Sequence, residues 1–157
     1  MPVKNLPQDI AAMHRALELA AHCASSHDVP VGAVVLDANG TVVGEGWNQR
    51  EALNDPFAHA EVVALRAASQ SLGSWRLDQC TLVVTLEPCT MCAGAALNAR
   101  IQRIVFGAFE PKTGAVGSLW DVVRDRRLVH QAEVVSGVLA DESSTMLAEF
   151  FESRRGS

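Results

Sequence analysis

Apolar residues return every three or four positions through Ile10, Met13, Leu17, Ala20, Ala21 and Ala24, which predicts an amphipathic helix over residues 8–26. Two β-branched runs follow, "VGAVVL" at 31–36 and "TVVGEG" at 41–46, separated by the turn-forming Asp37-Ala38-Asn39-Gly40. Such a pair reads as an antiparallel hairpin. In "NDPFAHAEVVALRAASQ", Asn54 or Asp55 is the expected N-cap and Pro56 suits the first turn. Val62, Val63, Leu65 and Ala68 are the expected buried face of that helix. "TLVVTLE" (81–87) is nearly continuous apolar, the pattern of a strand covered on both faces. Pro88 then opens a helix to about Asn98, "RIVFGA" (103–108) reads as a strand, and the glycine-bearing "FEPKTGAVGS" as a loop. The last third predicts a short helix near 118–123, a strand "AEVVSGV" (132–138) and a closing helix from 141. Met146, Leu147, Phe150 and Phe151 recur on that last helix and are expected to pack on the sheet.

A hairpin followed by strands that alternate with helices gives a sheet that is antiparallel at one end and parallel at the other. The expectation is an α/β protein, a three-layer α/β/α sandwich around a mixed five-stranded sheet. No repeat, linker or low-complexity tract divides the 157 residues, so one domain spanning 1–157 is expected. No apolar run approaches the ~20 residues of a membrane helix, and "MPVKNLPQDI" resembles no signal or transit segment. A soluble cytoplasmic protein is the default expectation.

Charge complicates the choice of partner. Eighteen acids against thirteen bases give a net charge of −5, which by itself argues against nucleic acid. Yet Arg100, Arg103, Lys112, Arg124, Arg126 and Arg127 fall within 28 residues, and Arg154 and Arg155 form a short basic tail. A solvated face explains such a group as well as a binding surface does.

Four cysteines are too few for a disulfide framework. Cys23 and Cys80 stand alone and read as small buried hydrophobes. Cys89 and Cys92 are three apart at the start of a helix, where the partial positive charge of the N-terminus favours thiolate. Metal binding and thiol–disulfide exchange both want a thiolate, so the pair alone fits either. His59 and Glu61, at the start of the preceding helix, decide between them. His59, Cys89 and Cys92 make a three-ligand zinc set, the number that leaves a fourth position for water. Zinc can lower the pKa of that water from ~16 towards ~7, and Glu61, pointing away from His59, is free to take its proton. His-x-Glu with Pro-Cys-x-x-Cys is the known signature of zinc nucleobase deaminases. His14, His22, His27 and His130 have no such partners in sequence and are assigned to surface or core.

From about residue 9 to 155 the chain resembles the bacterial tRNA-specific adenosine deaminases of the cytidine/deoxycytidylate deaminase superfamily. The resembling segments are "VPVGAVV" (29–35), "GEGWN" (44–48), "DPFAHAE" (55–61), "TLEPCTMCAGA" (85–95), "FGAFEPKTGAVGS" (106–118) and "FFESRR" (150–155). The zinc motif is shared across the superfamily; "KTGAVGS" and the "FF…RR" end point to the tRNA enzymes. The resemblance implies a cytidine-deaminase-like fold and a homodimer with one Zn²⁺ per subunit. It also implies conversion of the wobble adenosine of a tRNA anticodon loop to inosine with release of ammonia. It assigns zinc to His59, Cys89 and Cys92, proton transfer to Glu61, and substrate binding to Asn48 and the backbone N–H of Ala60. Glu110, Lys112, Arg154 and Arg155 are the implied RNA contacts. Glu110 stands where the family pattern has the shorter Asp, which bears on the loop contact and not on the zinc chemistry. The competing reading is a deaminase of a free base or nucleoside of the guanine or cytidine type.

Overall fold

The computed structural model describes residues 5–155. Its elements are α1 (Pro7–Ala20), β1 (Gly32–Leu36), β2 (Val42–Trp47), α2 (Arg50–Leu53), α3 (Ala60–Leu72), β3 (Thr81–Leu86), α4 (Thr90–Asn98), β4 (Arg103–Ala108), β5 (Glu133–Val135) and α5 (Ala140–Arg155). A 3₁₀ stretch, Ala21–Ser26, extends α1 and stops at His27, whose left-handed backbone ends the helical run. The predicted helix over 8–26 is thus two kinds of helix.

The five strands form one mixed sheet in the order β2-β1-β3-β4-β5. β1 pairs antiparallel with both β2 and β3, while β3–β4 and β4–β5 are parallel. Each face carries its own core. On one, Met13, Ala16 and Leu19 of α1 meet Val34, Val83 and Val105. On the other, Ala60, Ala64, Ala68 of α3 and Ala93, Ala96 of α4 meet Val35, Leu82, Val84 and Phe106. β3 serves both, with Leu82, Val83 and Val84 all fully buried, and this is why its sequence lacks alternation. The three-layer expectation holds.

Alanines make up much of each buried helix face, beside a few larger residues. In α1 the buried set is Ala12, Met13, Ala16, Leu19 and Ala20, whereas Ile10 is exposed and Leu17 half-buried. In α3, Val62 and Val63 are half-buried, and Ala60, Ala64, Leu65 and Ala68 lie inward. The reason is close approach of helix to strand. A Cβ at Gly46 of β2 would lie 2.7 Å from the Ala60 carbonyl oxygen, and one at Gly44 would lie 2.7 Å from the Ala68 nitrogen. Only glycine on the strand and small residues on the helix permit that contact, and it sets the height at which the start of α3 rides over the sheet.

Four other expectations are corrected. α3 begins at Ala60 rather than near Pro56, because Asn54 takes a left-handed backbone that closes α2 and the Phe57 N–H donates to the Asp55 side chain at 2.9 Å. No helix forms over 118–123; Val116 instead pairs with Asp121 across a turn through Gly117 at φ +130°. β5 is only Glu133–Val135, shorter than 132–138. α5 meets the sheet chiefly through Ser143, its only buried residue, whose hydroxyl donates to the Thr85 carbonyl at 2.6 Å. Met146, Leu147 and Phe150 are half-buried and Phe151 is exposed, so this row does not pack the sheet as expected. Cys23 and Cys80 are buried, as expected of small hydrophobes.

Candidate active site

The topology gathers one end of the sheet. Because β1 runs antiparallel to its neighbours, the entry to β1 lies beside the exits of β2 and β3 (Gly32 opposite Trp47, Ala33 opposite Val84). Val29, Val31, Asn48, Leu86, Glu87 and Cys89 therefore line one cleft of about 150 Å³, open to solvent, and α3 adds His59, Ala60 and Glu61. Arg50 and Thr113 complete the wall.

His59 and Cys89 occupy equivalent positions, each the N-cap of a helix and each extended in backbone. An N-cap side chain stands beside the helix mouth instead of along its flank, so the two project into the space between α3 and α4. Cys92, one turn into α4, is buried behind them. The His59 Nδ1 lies 3.7 Å from the Cys89 Sγ and 3.5 Å from the Cys92 Sγ. A tetrahedral zinc with Zn–S of about 2.3 Å and Zn–N of about 2.0 Å sets its nitrogen and sulfur ligands roughly 3.6 Å apart. All three ligand atoms lie within 4.8 Å of one another, and this is the sole metal-capable His/Cys/Asp/Glu group among the described residues. Geometry and donor chemistry both fit zinc.

The thiols are unequal. Donation from the Cys92 thiol, together with the His59 contact, outweighs burial and holds Cys89 at about 4. Cys92, which donates to Cys89 and is buried, is pushed up. The contact with Cys89 raises His59. Glu61 sits two residues into α3, is 4% exposed, and is raised by that burial to about 6. A carboxylate near neutrality is matched to both taking and returning a proton.

Asn48 is held rather than loose. Its amide donates to the Val29 carbonyl at 3.1 Å, and its oxygen accepts from the Arg50 N–H at 3.2 Å. One N–H and one lone pair remain for a ligand. The N–H of Ala60 belongs to the first turn of α3, where amides have no acceptor within the helix.

The implied RNA residues do not join this cleft. Lys112 and Arg155 border a separate groove with Phe151. Arg154 lies over the Phe150 ring and lines a third hollow with His27 and Asp28. Glu110 binds its own loop, accepting from the Lys112 N–H at 3.0 Å. Much of the arginine cluster is already paired: Arg103 with buried Asp9, Arg124 with Asp121 and Arg127 with Asp125.

Besides Asp9, two buried carboxylates escaped sequence reading. Asp28 accepts the N–H groups of Glu51 at 2.6 Å and Ala52 at 3.1 Å, fixing α2 beside Asn48. Burial would raise Glu87, but the Ser118 hydroxyl and the N–H groups of Glu110, Ser118 and Val116 hold it below the usual carboxylate range. A charged residue closing the apolar run "TLVVTLE" was the one sign in sequence.

A family model, the cytidine and deoxycytidylate deaminase zinc-binding region, matches residues 6–108. The tRNA-specific adenosine deaminase of Haemophilus influenzae is 50% identical over 147 residues, 94% of this chain and 85% of that protein. A solved structure from a study of A-to-I editing by tRNA:A34 deaminases superposes with a TM-score of 0.82 at 40% identity, covering 87% of this chain and 98% of the other. A guanine deaminase from Nitrosomonas europaea shares the fold at lower identity, 26%, with a TM-score of 0.75 over 94% of this chain and 86% of the other. The chain belongs to the zinc-binding cytidine and deoxycytidylate deaminase family and, within it, to the tRNA-specific adenosine deaminases.

Proposed function

We propose that the chain, acting as a single domain over 1–157, hydrolytically deaminates adenosine to inosine at the wobble position of a tRNA anticodon. The observation that carries this is Glu61 buried beside a three-donor His59–Cys89–Cys92 set in an open cleft, on a chain 50% identical to a tRNA-specific adenosine deaminase. Zinc held by His59, Cys89 and Cys92 supplies Lewis-acid activation of water when bound. The chain's own groups do the rest. Glu61 takes a proton from the attacking water and delivers it to N1 of the adenine as the oxygen adds at C6. It then carries the second proton to the amino group, so that the C6–N bond breaks with ammonia leaving. Asn48 offers its remaining donor and acceptor to the base, and the Ala60 N–H holds the oxygen at the reacting carbon. An unpaired loop base is already partly free, so its extrusion into the cleft is inexpensive.

The anticodon arm then passes Lys112 and Arg155 on one side and Arg154 on another. This local charge, and not the net balance, attracts the phosphates. A second copy covers part of the exposed apolar surface at Leu53, Phe57, Leu119 and Trp120. Sedimentation at the mass of a homodimer is the expected result, and a monomer at micromolar concentration refutes it. The cytoplasm is the compartment of such a substrate, and among the described residues no helix is long and apolar enough to cross a membrane.

One assay tests the substrate: ammonia release from an anticodon stem-loop, guanine, cytidine and adenosine, with and without chelator. Turnover of the stem-loop alone is expected. Turnover of guanine or cytidine without the RNA would leave the free-base reading in its place. In the same assay, Arg154→Glu with Arg155→Glu is expected to raise KM for the RNA about tenfold and flatten its salt dependence. An unchanged salt slope removes the tail from the RNA path.

A further inference from the structure

Glu87 ends β3 two residues before Cys89 and is 2% exposed. Its Oε1 accepts from the Glu110 N–H at 3.0 Å and from the Ser118 hydroxyl. Its Oε2 accepts from the N–H groups of Val116 and Ser118, both at 3.0 Å. All four donors come from one loop, residues 109–118, and they come from both of its ends. The sheet does not need this side chain, since the β3–β4 ladder is continued by the Glu87 backbone N–H donating to Ala108 at 2.9 Å.

The loop is shaped around the carboxylate. Gly114 N–H donates back to the Glu110 carbonyl, and Ala115 N–H to the Pro88 carbonyl, both at 2.8 Å. A Cβ at Gly114 would stand 2.5 Å from the Glu87 Oε2, so only glycine leaves the carboxylate its place. From this fixed base the loop lends Thr113 to the cleft and Lys112 to the groove that holds Arg155. Meanwhile Asn48, His59, Glu61 and Cys89 sit on other segments.

We infer that Glu87 is a positioning residue for substrate: its carboxylate locks the 109–118 loop against the turn bearing Cys89, forming the cleft wall that receives the RNA flanking the target adenosine. The inference rests on the RNA-deaminase reading above. A cleft that admits one base must let the rest of the strand out over its rim, and this loop is one side of that rim. If the lock is released, the loop must be ordered when RNA binds, and that ordering weakens binding. The groups that carry out proton transfer stay where they are. The signature is therefore a change in KM with kcat nearly kept.

Glu87→Gln preserves shape but leaves one acceptor oxygen and turns an amide NH₂ towards a backbone N–H, breaking at least one of the four bonds even if the Ser118 hydroxyl turns to accept. KM for an anticodon stem-loop is expected to rise about tenfold, with kcat within about threefold and zinc content unchanged. Gly114→Ala, which displaces the carboxylate from the loop side, is expected to give the same KM rise, and the double variant no more than either alone. Ser118→Ala, which removes a single donor and tests the lock should the others fail to fold, is expected to raise KM about threefold. Unchanged KM in the folded variants, or a fall in kcat at constant KM, overturns the assignment, as does a KM change that tracks lost zinc. Hydrogen exchange of 109–118 reads the lock without any substrate. Faster exchange in Glu87→Gln supports it and unaltered exchange overturns it. Wild-type protein inactive on the stem-loop would count against the RNA reading and leave that second measurement intact.

Discussion

Glu61→Ala is expected to keep zinc at one per chain and to lose deamination by about 10³-fold or more. Both halves follow from where α3 begins. His59 is the N-cap and Glu61 the second helical residue, so the two point in different directions from one helix mouth. The donor atoms that converge are those of His59, Cys89 and Cys92, and removing the Glu61 carboxyl subtracts none of them. Turnover, by contrast, needs two proton transfers, from water to N1 and then to the departing amine. Glu61 is the buried carboxyl beside the donor set in the cleft, raised to about 6 by its burial. Alanine leaves neither base nor acid. Glu61→Gln is the sharper variant, because it keeps the side-chain volume and still cannot exchange a proton. Zinc content by elemental analysis, read beside single-turnover inosine formation, checks both halves. Wild-type turnover in Glu61→Gln would remove Glu61 from the chemistry, and zinc loss in Glu61→Ala would make it a ligand instead of a base.

That residue pair also marks how far the amino-acid sequence carries. Sequence places "RIVFGA" on β4 with both ends correct, and the hairpin through residues 37–40 forms as expected, because apolar runs and turn residues act locally. The donor set His59, Cys89 and Cys92 was legible because residue type and motif spacing express it directly. What failed depends on competing local turns or on distant partners. α3 starts at Ala60 because Asn54, Asp55 and Phe57 close a turn first, and Pro56 suits the end of that turn as well as the start of a helix. The buried faces of α1 and α3 are legible only in part: Met13, Ala20, Leu65 and Ala68 lie inward as expected, whereas Ile10, Ala21 and Ala24 are exposed and Leu17, Val62 and Val63 half-buried. Contact with the backbone of β2 selects alanine on α3. The 118–123 segment reads as helical in isolation, yet Ser118 gives both its N–H and its hydroxyl to Glu87, 31 residues away. The arginine cluster reads in sequence equally as a solvated face or a surface for phosphate. Asp9, some 94 residues from Arg103, makes part of it structural.

Removing the metal, by chelation or by Cys92→Ser, is expected to abolish turnover while leaving the protein folded. Cys92 is the fully buried member of the donor set, 3.5 Å from His59 Nδ1. Serine puts a shorter, non-ionising hydroxyl in its place, so the site falls to two good donors and zinc is lost. The fold does not hang on that site, because the core of α1 on one face and that of α3 and α4 on the other each bury their own apolar residues. Zinc binds the native state, so its removal lowers stability only by the linkage between binding and folding, roughly 4 kcal/mol at a thousandfold excess over Kd. At about 2–4 °C per kcal/mol for a chain of this size, the melting temperature should fall by roughly 10 °C while far-ultraviolet circular dichroism is retained. Adding zinc back should restore both stability and turnover in the wild type and neither in Cys92→Ser. A chelated protein that still deaminates would end the zinc assignment. A chelated protein that unfolds outright would make the metal a structural staple, and the two cores flanking the sheet would then be too weak to stand without it.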